Sequence, residues 1–223
     1  MTTLLEPHAR QMLTLQSRMN TKVDPLWVSK RFPYLRAVVI EAAEAIEHHG
    51  WKWWKKQDCD TAQLQMEIID IWHFLLSDIL LTHEDDQEAS RHWLLGAANA
   101  ASQEHTLVFD GRSYRLDTMS LVAKLELLIG VSVARRVELG VFASVMRDCG
   151  LDWGTLYRQY VSKNVLNFFR QDHGYKEGTY QKLWASREDN EHLVELMDSL
   201  DANDPRYPEL LYQGLADRYP PAQ

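Results

Sequence analysis

The sequence predicts an all-α fold, a bundle of helices that forms a single domain over residues 1–223. Apolar residues recur at spacings of three and four along most of the chain, which is the period of an amphipathic helix. Alternating stretches of the strand type are scarce, and no internal repeat or low-complexity segment is present. These observations favour helices packed on helices over a fold built on a sheet.

Three helices are expected in the first part of the chain. The first covers residues 7–20 and ends before Pro25, because proline cannot continue a helix. The second covers residues 33–49, where apolar side chains recur at helical spacing. The third covers residues 60–81, which contain no glycine or proline, and Asp60 with Gln63 three residues later is typical of a capping box. Later helices are expected over residues 117–137, 152–168 and 187–200.

Two segments are expected to be less regular. Residues 84–116 form an insert, in which Val108-Phe109-Asp110-Gly111 predicts a short hairpin or loop within 107–115. Residues 201–223 are expected to form an irregular tail, because this segment carries four prolines.

The composition excludes several classes of function. The chain has 223 residues, of which 45% are hydrophobic and 25% charged, and a formal net charge of -8. A nucleic acid polymer is not an expected partner, because phosphate neutralisation needs a basic face. No apolar run approaches the length of a membrane span, and the two cysteines, Cys59 and Cys149, indicate a reducing cytoplasm. Phosphate-loop, dinucleotide-binding and serine-hydrolase motifs are absent, so catalysis would depend on carboxylates, basic residues and amides.

Two pairs of acidic residues predict a metal site. Glu41 and Glu44 are three residues apart on one predicted helix, and Glu67 and Asp70 are three apart on the next. Each pair lies on one helix face, so the four carboxylates converge if the helices pack side by side. Paired acidic residues are usually a solvated face, but these lie among aliphatic residues, where half-buried charges need partners. A hard divalent cation, most plausibly Mg²⁺, would supply that partner.

A di-iron centre is the competing metal site. That centre needs Glu-x-x-His on two helices, and here Asp70-x-x-His73 is the nearest approach, since Glu47 follows Glu44 at the third position. Ligation by oxygen alone favours magnesium or manganese over iron or zinc. We therefore interpret His73 as a core residue or as a support for a ligand.

The charge reverses between Arg158 and Arg187. Six basic residues against two acidic ones give this segment a net charge of +4, so the rest of the chain carries −12. Cations beside a metal-binding acidic cluster are typical of a polyphosphate site, although a solvated helix face would also account for them. Gly174 and Gly178 indicate a loop that could close over a ligand.

Four motifs follow one another along the chain in the order found in a known family. They are Leu15-Gln16 with Asn20 and Asp24-Pro25-x-Trp27; the two carboxylate pairs around Trp51-Lys52-Trp53-Trp54-Lys55; the segment 160–176; and Glu188-Asp189-Asn190 after Trp184. With them the chain resembles the all-α nucleoside triphosphate pyrophosphohydrolases, the superfamily of MazG-like proteins. The resemblance is closest to the dimeric dUTPase branch. It covers most of residues 10–82 and 157–195, whereas residues 84–150 match loosely.

The resemblance implies an activity and its cofactor. The expected reaction is hydrolysis of dUTP to dUMP and pyrophosphate, with dUDP as a possible second substrate and attack at the β-phosphorus. Glu41, Glu44, Glu67 and Asp70 would hold two or three Mg²⁺ ions, with Mn²⁺ as a substitute. Glu41, or next Glu44, would be the catalytic group that orients and deprotonates the water. A homodimer is expected too, and the apolar helix that includes residues 121–137 is consistent with one.

The resemblance also implies residues that contact the substrate. The expected phosphate contacts are Lys163, Asn167, Arg170, Tyr175, Lys182 and Asn190. Asn190 could instead lie on the first turn of a helix that starts in Ser186-x-x-Asp189. The expected contacts to base and sugar are Gln16, Asn20 and either Trp53 or Trp54, packed so closely that a 2′-hydroxyl is excluded.

Two alternatives remain open at this stage. The same amides could recognise cytosine after flipping, which would make the protein a dCTP or dual dCTP/dUTP pyrophosphatase. The carboxylates could also be solvated, in which case the chain would be a non-catalytic helical interaction module.

Overall fold

A computed structural model describes residues 3–103, 105–201, 204 and 206–220. Over these residues the fold is all-α, as predicted, and the only sheets are two short antiparallel hairpins. The helices are α1 Glu6–Val23, α2 Trp27–Lys30, α3 Tyr34–His49, α4 Thr61–Thr82, α5 Gln87–Ala101, α6 Leu121–Val133, α7 Leu139–Asp148, α8 Trp153–Asp172, α9 Asp189–Ser199 and α10 Tyr207–Arg218. The hairpins pair β1 Thr106–Phe109 with β2 Arg112–Arg115, and β3 Leu183–Trp184 with β4 Arg187–Glu188.

Helices α3 and α4 pack against each other along their lengths. Asp60 caps α4 by accepting a hydrogen bond from the Gln63 backbone N–H at 3.1 Å, as the sequence predicts. The Asp60 backbone N–H donates instead to the His48 carbonyl at 2.9 Å, so the start of α4 is tied to the end of α3. This contact fixes the relative position of the two helices that carry the acidic pairs.

Helix α8 packs against α1 and α4 around a largely apolar core. The Trp72 ring stacks on Phe142 at 5.0 Å between ring centroids and meets Trp153 edge-on at 5.5 Å. Helix α6, whose apolar sequence is consistent with a dimer interface, buries Leu125, Leu128 and Val131 in this same core. Its apolar character is therefore largely explained within one chain.

Four helices were not expected from the sequence, the first of them the four-residue α2. Helix α5 lies inside the predicted insert, and its N-terminus is capped by Asp86, which accepts from the Glu88 and Ala89 backbone N–H groups. The predicted helix 117–137 ends at Val133, and α7 follows it as a separate helix. The prediction of an irregular tail was wrong for residues 207–218, because Pro208 lies in the first turn of α10, where proline costs no hydrogen bond.

The hairpin predicted within the insert was confirmed. The stretch 107–115 is a hairpin, with Phe109 opposite Arg112 across the turn Asp110-Gly111. Within the described residues, no helix is long and apolar enough to cross a membrane.

Candidate active site

Three acidic side chains meet between α3 and α4. Glu41, Glu67 and Asp70 each offer an oxygen atom, and these atoms all lie within 4.8 Å of one another. Glu67 is buried and the other two are half-buried. The i, i+3 spacing within α4 and the packing of α3 on α4 produce this convergence, as the sequence predicts.

Glu44, the fourth predicted ligand, is not part of this compact group. Its side chain is exposed, one turn after Glu41 on α3. Its charge still reaches the cluster, since it helps to raise the pKa of both Glu41 and Glu67.

The cluster holds more negative charge than its surroundings compensate. Burial and the charge of Asp70 raise the pKa of Glu41 to about 8 and that of Glu67 to about 7. Two basic groups lie close by. His48 Nε2 is 3.4 Å from a Glu67 oxygen, and Lys163 Nζ is 3.1 Å from Asp70 Oδ2. The raised pKa values mean that a proton or a further cation is favoured here.

A cleft of about 500 Å³ opens beside the cluster, between α1, α3, α4 and α8. Many of the residues predicted to act lie in its wall. These are Gln16, Asn20, Glu41, Asp70, Lys163, Asn167, Arg170 and Tyr175. The cleft therefore brings together residues from both ends of the sequence.

The basic side of the cleft is built around Arg170. Its Nε and Nη2 donate to the two oxygens of Asp189 at 2.8 and 2.9 Å, while Nη1 donates to Asn167 Oδ1 at 3.3 Å. Asp189 is fully buried and also accepts from the Tyr180 hydroxyl at 2.9 Å. Burial alone would raise the pKa of Asp189, but the hydrogen bonds and charge of Arg170, together with the hydrogen bonds from Tyr180 and the Asn190 backbone, outweigh it and hold that pKa below its ordinary value. The two hydrogen bonds to Asp189 thus fix the position of the guanidinium, and Arg170 is one of the residues that line the cleft.

The loop after α8 is attached to α1 rather than free. Gly174 has a φ of +84°, and a Cβ there would lie 2.0 Å from Thr179 Oγ1, so only glycine fits this turn. Lys176 Nζ donates to the Val23 carbonyl at 2.9 Å, and Lys22 pairs with Asp172. These contacts hold Tyr175 in the cleft wall, with its side chain half exposed.

A buried polar network forms another part of the wall. Gln16 Nε2 donates to Asn20 Oδ1 at 3.0 Å and to Ser77 Oγ at 2.9 Å. Gln16 Oε1 lies 2.9 Å from His73 Nδ1 and 3.0 Å from the Tyr160 hydroxyl. Burial lowers the pKa of His73 to about 4, so its ring is neutral. Asn20 Nδ2 and His73 Nε2 are buried without a hydrogen-bond partner in the described part of the chain.

Four predicted contact residues lie outside the lining of the cleft. Trp53 and Trp54 are 86% and 59% exposed, on a connector that Gln57 Oε1 folds by accepting from the Trp51 and Lys52 backbone N–H groups. Lys182 is exposed and pairs with Glu188 at 3.1 Å.

Asn190 is the fourth. It lies in the first turn of α9, where the cap is Glu188 in a capping box with Glu191, not Ser186. Its Oδ1 is buried and has no partner among the residues that the structure describes.

Sequence reasoning missed several residues of the cleft. Phe32, Tyr34 and Phe74 supply apolar wall, and Ser77 belongs to the buried network. The sequence spacing could have placed two residues of the cleft, since His73 follows Asp70 by three positions and Ser77 follows His73 by four, so all three lie on one face of α4. Tyr160 gave none, since a tyrosine on an amphipathic helix is an ordinary core residue.

Comparison with known proteins agrees with this geometry. The family model described as dUTPase matches residues 8–175, about three quarters of the chain, and the match includes the acidic cluster and the whole wall of the cleft. No curated protein matches the chain. The chain therefore belongs to the dUTPase family, in its all-α class, and is a dUTP diphosphatase.

Proposed function

We propose that this enzyme hydrolyses dUTP to dUMP and pyrophosphate with Mg²⁺ bound at Glu41, Glu44, Glu67 and Asp70. One observation carries the proposal. The compact carboxylate cluster and Arg170 lie at one cleft, whose wall also contains two buried polar atoms without a hydrogen-bond partner in the described residues, Asn20 Nδ2 and His73 Nε2. The donor set fits the ion, because it consists of carboxylate oxygens that lie within 4.8 Å of one another and are partly or fully buried. When bound, Mg²⁺ would offset phosphate charge and lower the pKa of a coordinated water. Two or three ions are proposed, and Mn²⁺ would substitute.

The protein groups have separate proposed roles. Glu41 orients the attacking water and accepts its proton, with Glu44 as the next candidate, because Glu41 is the carboxylate that α3 contributes to the cluster and it lines the cleft. Attack at the β-phosphorus and hydrolysis of dUDP remain proposals from family resemblance.

The phosphate contacts are proposed on the opposite wall. Lys163, Asn167, Arg170 and Tyr175 are the contacts that the cleft supports directly. For Lys182 and Asn190 the proposal requires residues 181–190 to move toward the cleft, because neither side chain lines it.

The base is proposed to be read by Asn20 and His73. The Asn20 amide donates and the neutral His73 Nε2 accepts, which matches a uracil carbonyl oxygen next to the N3–H. Gln16 lies behind both residues. For Trp53 or Trp54 to cover the base and exclude a 2′-hydroxyl, the connector that bears them would have to approach the cleft.

Pyrophosphate release from separate nucleotides tests this function. With Mg²⁺ we expect dUTP to be turned over far faster than dCTP, dTTP or UTP, and EDTA to stop the reaction. Equal turnover of dCTP and dUTP would contradict the substrate assignment. Absence of turnover together with absence of thermal stabilisation by Mg²⁺ would favour the helical interaction module instead.

We further propose a homodimer in the cytoplasm. The two free cysteines fit a reducing compartment. Ile40, Trp53 and Trp54 expose apolar surface along α3 and its connector, which a second copy would cover. Light scattering is expected to give twice the chain mass of 26.0 kDa, with Val108→Ser, an exposed apolar residue on the β1–β2 hairpin, as a control that leaves this mass unchanged. A mass of 26.0 kDa at micromolar concentration would contradict the dimer.

A further inference from the structure

Gln16 has no hydrogen-bonding position left for a substrate. Its two amide protons are directed to Asn20 Oδ1 and Ser77 Oγ, and its carbonyl oxygen faces two donors, His73 Nδ1 and the Tyr160 hydroxyl. A primary amide has two donors and two acceptor lone pairs, so all four face protein groups, with the one Tyr160 proton shared between Gln16 Oε1 and the Met12 carbonyl at 3.0 Å each. The side chain is only 4% exposed, and a base could bond to it only by breaking one of these contacts.

The direction of the Gln16 hydrogen bonds determines whether Asn20 and His73 present a hydrogen-bond donor or an acceptor to the cleft. A carbonyl oxygen only accepts, so the His73 nitrogen facing it must be Nδ1–H. A neutral imidazole carries one N–H, which leaves His73 Nε2 as a free acceptor. Asn20 Oδ1 likewise accepts from Gln16, which leaves Asn20 Nδ2 as the free donor.

The hydrogen bonds between Gln16 and its four neighbours, Asn20, His73, Ser77 and Tyr160, could also run in the opposite direction. If the Gln16 amide turned over, its N–H groups would face Tyr160 and His73 Nδ1, and its oxygen would accept from Asn20. His73 would then present Nε2–H and Asn20 its oxygen, which matches the ring N3 acceptor and amino donor of cytosine. The Ser77 hydroxyl opposes this reversal, because it donates its one proton to the His73 carbonyl at 2.9 Å and could reach a Gln16 oxygen only by giving up that bond.

We infer that Gln16 is a positioning residue that sets the preference for uracil over cytosine by fixing the His73 tautomer and the Asn20 amide. The base contacts only Asn20 and His73, and Gln16 acts through them. This inference rests on the proposed function, since it explains how that site selects its substrate.

Gln16→Glu tests the inference. A glutamate keeps the oxygen that faces His73 and Tyr160, but it replaces the NH₂ group with an acceptor, so Asn20 must turn its NH₂ group inward and present its oxygen to the base. We expect kcat/KM for dUTP to fall about 10- to 100-fold while that for dCTP changes less, so the ratio of the two falls at least about tenfold. Gln11→Glu is the matched control, because Gln11 lies on the same helix and accepts from Tyr157 at an exposed position. It should leave the ratio unchanged.

A second measurement covers the case in which Gln16→Glu fails to fold. Nitrogen chemical shifts of the His73 ring, assigned with His73→Gln, report its tautomer in the wild-type protein with and without dUMP. The Nδ1–H form is expected in both states. An Nε2–H form in the free protein, or a folded Gln16→Glu variant with wild-type selectivity, would overturn the inference. Absence of any dUTP turnover by the wild type would instead contradict the proposed function, while the tautomer would still test the network.

Discussion

Replacement of Glu41 by glutamine is expected to abolish dUTP hydrolysis and, in EDTA, to make the protein more stable. We expect kcat/KM to fall by about 1000-fold or more, because the substitution removes both a proposed metal ligand and the proposed base. Stability should change in the opposite direction, since the cluster is short of positive charge and the amide relieves its repulsion. Glu126→Gln is the control, an exposed glutamate on α6 outside the cluster.

The same repulsion among the carboxylates should make the free energy of unfolding of the wild-type protein depend on pH. The pKa values of Glu41, about 8, and of Glu67, about 7, are raised above the ordinary value of 4.5, so the folded state binds more protons than the unfolded state between these limits. The free energy of unfolding in EDTA therefore falls as pH rises through 7 and 8. His73 has the opposite effect below pH 6.5, because its pKa is lowered, so the window from pH 6.5 to 8.5 isolates the carboxylates.

Denaturant unfolding with and without Mg²⁺ measures this. Stabilisation by Mg²⁺ should grow over the same window, since the ion replaces protons that are lost there. Glu41→Gln should flatten the curve in EDTA. Unfolding free energy in EDTA that is constant or rises from pH 6.5 to 8.5 would contradict the description of the cluster.

Replacement of Arg170 by alanine is expected to cost both stability and activity. Asp189 is fully buried and would lose its two-pronged partner, which typically costs about 3–5 kcal/mol. The proposed phosphate contact would be lost with it, and kcat/KM should fall about 100-fold or more. Arg170→Lys should recover little, because an ammonium cannot span both carboxylate oxygens.

A double variant separates the two losses. Arg170→Gln with Asp189→Asn removes both buried charges, so it should regain much of the stability while remaining inactive. Arg187→Lys is a control, since Arg187 pairs with Glu195 at the surface and should matter by less than about 1 kcal/mol. If the double variant regained activity together with stability, Arg170 would be a structural residue only.

The acidic cluster could be predicted because its cause is local. Two i, i+3 pairs on adjacent helices can converge in few ways, and three of the four side chains do so. The spacing did not predict that the Glu44 side chain is exposed. Spacing shows that Glu41 and Glu44 share a helix face, but a small rotation of α3 about its axis decides which of the two faces α4 and which faces the solvent. The missed helix α10 has a related explanation, since Pro208 lies in its first turn, where proline begins a helix and does not interrupt it.

The buried polar network of the cleft wall could not be predicted, because its members come from three helices. Gln16, His73 and Tyr160 become neighbours only when α1, α4 and α8 pack. The exposure of the tryptophan cluster could not be predicted either, for the converse reason. Aromatic density indicates burial or contact, but a tight connector makes Trp53 and Trp54 pack on each other, 4.5 Å between rings, at the surface.

The attachment of α8 to α1 has a consequence for how the chain is made. Tyr160 bonds to the Met12 carbonyl across 148 positions of sequence, and Lys22 reaches Asp172 across 150. The first helix therefore leaves the ribosome long before the partner that completes its wall of the cleft has been synthesised. Closing so long a loop costs little more entropy than closing one half as long, about 0.6 kcal/mol, but it places the cleft among the last parts of the fold to form.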